Sequence, residues 1–115
     1  LYLENLQDTP LILPHVPEDI EPVWHLFVVR APDRDALQAH LRQHGIETLI
    51  HYPVPPHLQP AYQDLDLPAG SLPVTERIHR EVLSLPIGPH LSEAQVWRVC
   101  ETIRAFYSLP PGEAA

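Results

Sequence analysis

Four prolines fall within the eight residues from Pro53 to Pro60, the other two being Pro55 and Pro56. Each removes a backbone donor and fixes φ at about −65°. A segment built this way is expected to stay out of sheet ladders and helix interiors and to run as a stiff, extended arm. The stiffness matters because the arm carries His51, Tyr52, His57, Gln59 and Tyr62. A rigid backbone lowers the entropy cost of holding such side chains against a ligand. On the residues alone, the arm reads equally as a ligand wall and as a plain structural connection.

The flanks place this arm in a layered domain. Gly45 supplies a left-handed helix stop, and the alternating, β-rich run Ile46 to Tyr52 predicts a strand. Upstream, the spacing predicts a short helical end over Leu1 to Asp8 and an edge strand over Leu11 to Val16, interrupted by Pro14. Val23 to Arg30 is the strongest strand, apolar on both faces and therefore expected at the centre of a sheet. A helix follows to His44, with Asp33 as its N-cap and Leu37 and Leu41 as its buried stripe, Ala36 alongside. Downstream of the arm, Gln63 to Ser71 reads as a loop. Leu72 to Glu81 reads as a helix with Val74, Ile78 and Val82 in one row. Val82 to Ile87 reads as a short strand. The last helix has Ser92 and Gln95 as a capping box and Leu91 with Val96 as a hydrophobic staple. Its apolar face is Val96, Val99, Ile103 and Phe106, with Cys100 and Tyr107 beside it. Residues 110–115 read as a frayed tail. The alternation of strands and helices gives an α/β (α+β) domain, a short sheet packed by about three helices.

Composition removes several functions. The formal net charge is −8 and the seven cations are dispersed arginines, so no nucleic-acid partner is expected. No apolar run approaches the roughly 18–20 residues of a membrane helix. The opening LYLENLQDTP lacks the basic and apolar regions of a signal peptide. One cysteine, Cys100, allows no internal disulfide, and a cytoplasmic location is expected. There is no methionine, and the chain opens as the tail of a helix without a cap, so a piece of a longer protein is expected. There is also no lysine. No side-chain amine is present to form a Schiff base, so this chain cannot itself anchor pyridoxal phosphate.

The remaining candidates have simpler readings. His51 and His57 lack the third and fourth ligands a metal would need, with Asp64 and Asp66 poorly placed. His40 and His44 are expected on a solvated helix face, His25 as a core histidine, and Glu76 with Arg80 as a surface i, i+4 pair. Cys100 is expected buried and inert. Ser84 has no evident base partner.

Three stretches together resemble a known family. GIETLIHYPVPPHLQPAY, LPVTERIHREVLSLPIGPHLSEAQVWRVCETIRAFY and VWHLFVVRAPDRDALQAHLRQHGI are similar to the C-terminal part of DegT/DnrJ/StrS sugar aminotransferases. The combination of HYP-x-P-x-H-x-QPAY with E-x(6)-LSLP-x-x-P-x-L carries the likeness, which runs over Leu1 to Tyr107. The resemblance implies the small C-terminal domain of the aspartate-aminotransferase-like fold, covering residues 1–109. It implies a pyridoxal 5'-phosphate enzyme that moves an amino group, from glutamate, to a nucleotide-linked keto-sugar. It also implies a homodimer, with the cofactor held by a large domain that has no matching position here. The small domain would form the cleft wall: His51 and Tyr52 nearest the sugar, His57 and Gln59 further along the arm, and no catalytic residue. The alternative is a non-enzymatic protein-interaction module on the same domain.

Overall fold

The computed structural model describes residues 1–112. Its elements, in chain order, are α1 (Tyr2–Asn5), β1 (Phe27–Arg30), α2 (Arg34–Gln43), two 3-10 turns (Pro56–Leu58 and Pro60–Leu65), α3 (Pro73–Glu81), β2 (Val82–Leu85) and α4 (Glu93–Phe106). Strands β1 and β2 pair antiparallel, with Phe27 opposite Leu85 and Arg30 opposite Val82. Single bridges extend this ribbon on both sides, Ile12 to Arg30 and Leu49 to Ser84. The short antiparallel sheet of the expected α/β domain is therefore present.

The core lies where α2 and α4 cover one face of the ribbon. Leu37, Leu41, Val29, Leu83, Cys100 and Ile103 are fully buried there. The alternation of the strands makes this possible: Phe27 and Val29 on β1, and Leu83 and Leu85 on β2, point to the helices. Val82 and Ser84 point the other way and are buried as well. α2 ends as expected at Gly45, whose φ of +74° suits the left-handed stop. The capping box of α4 is complete: Gln95 N–H donates to Ser92 Oγ and Ser92 N–H donates to Gln95 Oε1.

The two halves are stitched by long-range contacts. Tyr2 Oη donates to Pro86 O at 2.7 Å. Buried Arg104 donates to Asn5 O at 2.9 Å and grips Asp8 through two nitrogens. Arg104 Nε also donates to Pro110 O. The expected tail is therefore tied down at its start, while residues 113–115 lie outside the described residues.

Several expected elements are shorter than their apolar runs. The Val23–Arg30 strand begins only at Phe27. Its partner β2 stops before Pro86, which has no N–H to offer, so residues 23–26 have nothing to pair with. Val23 is 96% exposed, and His25 is exposed instead of being a core histidine. The runs Leu11–Val16 and Ile46–Tyr52 contribute one bridge each, because prolines close in on both. Val74 of α3 is 71% exposed; the residues that α3 buries are Glu76 and Glu81. Asp33 stands at the N-cap of α2 but its carboxylate accepts from Tyr107 Oη at 2.9 Å instead of capping. Ala36 is exposed beside the Leu37/Leu41 stripe.

The proline arm is also not uniformly extended. Pro55 and Gln59 are extended, but each is followed by a 3-10 turn that starts on a proline. A proline is well suited to a first helical position, where its missing N–H would have had no partner.

Candidate functional site

The arm is held on the ribbon from below by β2 and from the side by α3. His51, at its start, is half-buried, and its Nδ1 lies 2.8 Å from Ser84 Oγ. Ser84 is in β2 and 5% exposed. Together they line a hollow of about 190 Å³ with His25, Glu47, Leu49 and Ile87. Tyr52 follows across a cis peptide bond. The residue is 63% exposed, and its ring meets the His51 ring edge-on at 5.3 Å. Its carbonyl accepts from His79 Nδ1 of α3 at 2.6 Å.

His57 is turned inward. It is 6% exposed, with Nε2 at 3.3 Å from Glu76 Oε2. The approach is close enough for an ion pair but off-line for a hydrogen bond, and both ring nitrogens lie buried without a hydrogen-bond partner among the described residues. Glu76 takes its good hydrogen bonds from backbone instead: Gly70 N–H at 2.8 Å and Leu72 N–H at 3.1 Å. These donors, Gly70 first, together with His57, hold the Glu76 carboxyl below the usual carboxylate range. Gln59 is half-buried and donates from its amide to Val54 O at 3.0 Å, bracing the arm on itself. The four expected site residues thus fall into two groups. His51 and Tyr52 stand together at the β2 end, while His57 and Gln59 border a separate hollow with Gln63 and Asp66.

Sequence reasoning missed three features here. Ser84 does have a partner, His51, but the pair is 33 residues apart and no local spacing reveals it. Glu76 does not pair with Arg80, because its carboxylate is turned onto the Gly70–Leu72 backbone. Arg80 is thereby released. It borders the arm beside Pro53, Pro55 and Leu58 and makes no ion pair among the described residues. By contrast, Arg30 and Arg77 converge on Glu81, each at 2.8 Å. They hold the Glu81 carboxyl below its ordinary range, Arg77 contributing most.

Other candidates resolve as structure. His40 is half-buried, donating from Nε2 to Thr102 O of α4 and meeting the Phe106 ring at a tilt, so it is not on a solvated face. Cys100 is buried, and burial pushes its thiol up to about 11, which makes it inert at neutral pH. Among the described residues no cluster of three or more histidine, cysteine or acidic side chains could hold a metal, and no helix is long and apolar enough to cross a membrane. A further hollow of about 320 Å³ between α1, β1 and the start of α4 is lined by Tyr2, Trp24, Phe27, Leu91 and Val96 and is too apolar for a phosphorylated ligand.

The residues present do not fit an anchored pyridoxal phosphate. Its covalent attachment needs a side-chain amine, and every cationic residue of this chain other than histidine is an arginine. What stands together here is the His51 imidazole and the Tyr52 phenol at the start of the arm, with the Arg80 guanidinium of α3 bordering the arm further along.

Comparison with known proteins identifies the family. The family model described as "DegT/DnrJ/EryC1/StrS aminotransferase family" matches residues 1–104. The chain is 54% identical over 106 residues to a Streptomyces venezuelae protein named dTDP-3-amino-3,4,6-trideoxy-alpha-D-glucose transaminase, covering 91% of this chain and 28% of that protein. It is 52% identical over 105 residues to the Saccharopolyspora erythraea protein named erythromycin biosynthesis sensory transduction protein EryC1, covering 90% of this chain and 29% of that one. The crystal structure of S. venezuelae DesV in complex with a ketimine intermediate superposes with a TM-score of 0.86 at 52% identity, over 91% of this chain and 29% of that one. Another structure of the same fold is described with bound PMP cofactor. The chain thus spans under a third of the length of the relatives it matches. With its sequence motifs, its ribbon-and-helix fold and nearly its whole length accounted for by one family model, the chain belongs to the DegT/DnrJ/EryC1/StrS aminotransferase family.

Proposed function

We propose that this chain is the C-terminal small domain, residues 1–109, of a pyridoxal 5'-phosphate-dependent aminotransferase. The whole enzyme transfers an amino group, from glutamate, to a keto-sugar linked to a nucleoside diphosphate. The observation that carries the reading is the 54% identity to a dTDP-amino-sugar transaminase over 91% of the chain. The chain's own share is the cleft wall. His51 and Tyr52 contact the sugar or its phosphates. His57 and Gln59, engaged with Glu76 and Val54, hold the arm in shape and border the site further out.

The charge is consistent with such a substrate in spite of its sign. The net charge of −8 disfavours an anion at long range. Beside the arm, however, Arg80 has no ion-pair partner among the described residues, and a guanidinium is well matched to phosphate oxygens. The cofactor's covalent anchor belongs to a large domain, which is also the proposed partner of the exposed apolar residues Val23, Leu49 and Val74. A homodimeric, cytoplasmic enzyme completes the proposal. The same exposed residues are what favours the second reading, a non-enzymatic interaction module.

A chimera separates the two. This chain replaces the matching segment of the S. venezuelae transaminase, and amination of the dTDP-linked keto-sugar is measured with glutamate as donor. The aminotransferase reading expects activity within about tenfold of the parent, and a loss of roughly 10- to 100-fold on His51→Ala through lost hydrogen bonding to substrate. A chimera that folds and binds the cofactor but does not aminate would overturn it in favour of the module.

A further inference from the structure

Ser84 is buried, and its backbone is already engaged. Its N–H donates to Leu49 O at 2.8 Å and its carbonyl accepts from Leu49 N–H at 3.2 Å. The hydroxyl must therefore find a side-chain partner. Among the described residues it has one, His51 Nδ1 at 2.8 Å.

A hydroxyl both donates and accepts, whereas a neutral imidazole has one donor nitrogen and one acceptor nitrogen. Two arrangements fit the distance. In one, Ser84 Oγ–H donates to Nδ1 and the ring proton sits on Nε2. In the other, Nδ1–H donates to Oγ, and the Ser84 proton is left buried without an acceptor. A buried donor with no acceptor carries its full desolvation cost, so the first arrangement is favoured. It also leaves Nε2 as the working nitrogen. The ring is half-buried, and Nε2 has no protein hydrogen bond among the described residues.

We propose that Ser84 is a positioning residue that holds neutral His51 as its Nε2–H tautomer, so that the arm presents a fixed N–H donor. The proposal rests on the reading of His51 as a substrate contact, and it narrows what can sit there. The atom facing His51 must accept a hydrogen bond, as a keto oxygen or a diphosphate oxygen does. A group that can only donate, such as an ammonium, is disfavoured by the same fixed donor. Leu83 and Leu85 on either side of Ser84 point into the core, so the strand alternation keeps the Ser84 side chain on the arm face.

Nitrogen-15 NMR of the histidine-labelled chain tests this, at a pH above the ordinary imidazole range and with no ligand present. The expected result is an acceptor-type Nδ1 and a protonated Nε2 for His51. Ser84→Ala is expected to shift the tautomer ratio toward Nδ1–H by roughly fivefold, the change that one net hydrogen bond commands. Ser84→Thr, which keeps the hydroxyl, is expected to restore it. A wild-type ring protonated on Nδ1 overturns the proposal whatever the variants do, and so does an unchanged ratio in Ser84→Ala. Should Ser84→Ala not fold, the wild-type tautomer and Ser84→Thr still decide. Addition of a dTDP-sugar reports separately on the functional reading. A tautomer set by Ser84 with no nucleotide-sugar response at His51, in the chain or in the chimera, sinks the substrate contact and leaves the positioning role standing.

Discussion

Two adjacent residues of β2 should fail in different ways when cut back to alanine. Leu83 is fully buried on the core face; Ser84 is buried on the arm face. Leu83→Ala removes three carbons, about 2.4 kcal/mol at ~0.8 kcal/mol per buried methylene. The cavity left between β1, α2 and α4 adds to this, giving about 3–4 kcal/mol, inside the usual range for such a change. At ~4 °C per kcal/mol for a domain of this size, the melting temperature should fall by about 12–16 °C. Ser84→Ala removes one hydrogen bond to a half-exposed imidazole that can turn to water, so about 1 kcal/mol, or ~4 °C, is expected. Native stability for 115 residues is on the order of 6–17 kcal/mol, so both variants should fold. Urea and thermal unfolding of the two variants, followed by circular dichroism, measure this with unchanged m-values. Equal losses, or a larger loss for Ser84→Ala, would refute the assignment of the two faces of β2.

Three further outcomes are expected. Ser92→Ala removes the acceptor for Gln95 N–H at the start of α4 and should cost about 1 kcal/mol, read by urea unfolding; a change within error would mean the capping box is not formed in solution. The carboxyls of Asp8, held low chiefly by its bond from Arg104, and of Glu76 and Glu81 all have folded pKa values below their ordinary ones. Their contribution is therefore complete above the ordinary carboxylate range and is lost as pH falls through the depressed values; Asp8→Asn should flatten that acid limb, and an unaltered limb would contradict the Arg104 grip. Cys100, raised to about 11 by burial, should resist iodoacetamide at neutral pH in the folded chain and react on addition of urea. Because its folded value is raised, its contribution is complete below the ordinary thiol range and is lost as pH rises toward 11.

What was legible in the sequence was what local chemistry decides. The capping box of α4, the Gly45 stop and the Leu37/Leu41 stripe each involve residues within one or two turns, and all three are present. Strand lengths were not legible, because an apolar run says nothing about where its partner ends. Pro86 truncates β2, and with it the pairing of Val23 to Leu26. The family motif set His51 and Tyr52 apart from His57 and Gln59 along the arm, but it could not show that the backbone turns the second pair toward Glu76 and Val54. The Ser84 contact was invisible for the same reason that it is informative: its two halves meet only after the ribbon and the arm have folded onto each other.

The reach of α3 toward the arm has a practical meaning for recombining these proteins. His79 holds the Tyr52 carbonyl, and Glu76 sits against His57 while pinning the Gly70–Leu72 backbone. Arm and helix therefore form one exchangeable block from His51 to Glu81. A graft that moves the proline segment into a homologue without its own helix would deliver the right letters on a slack hinge.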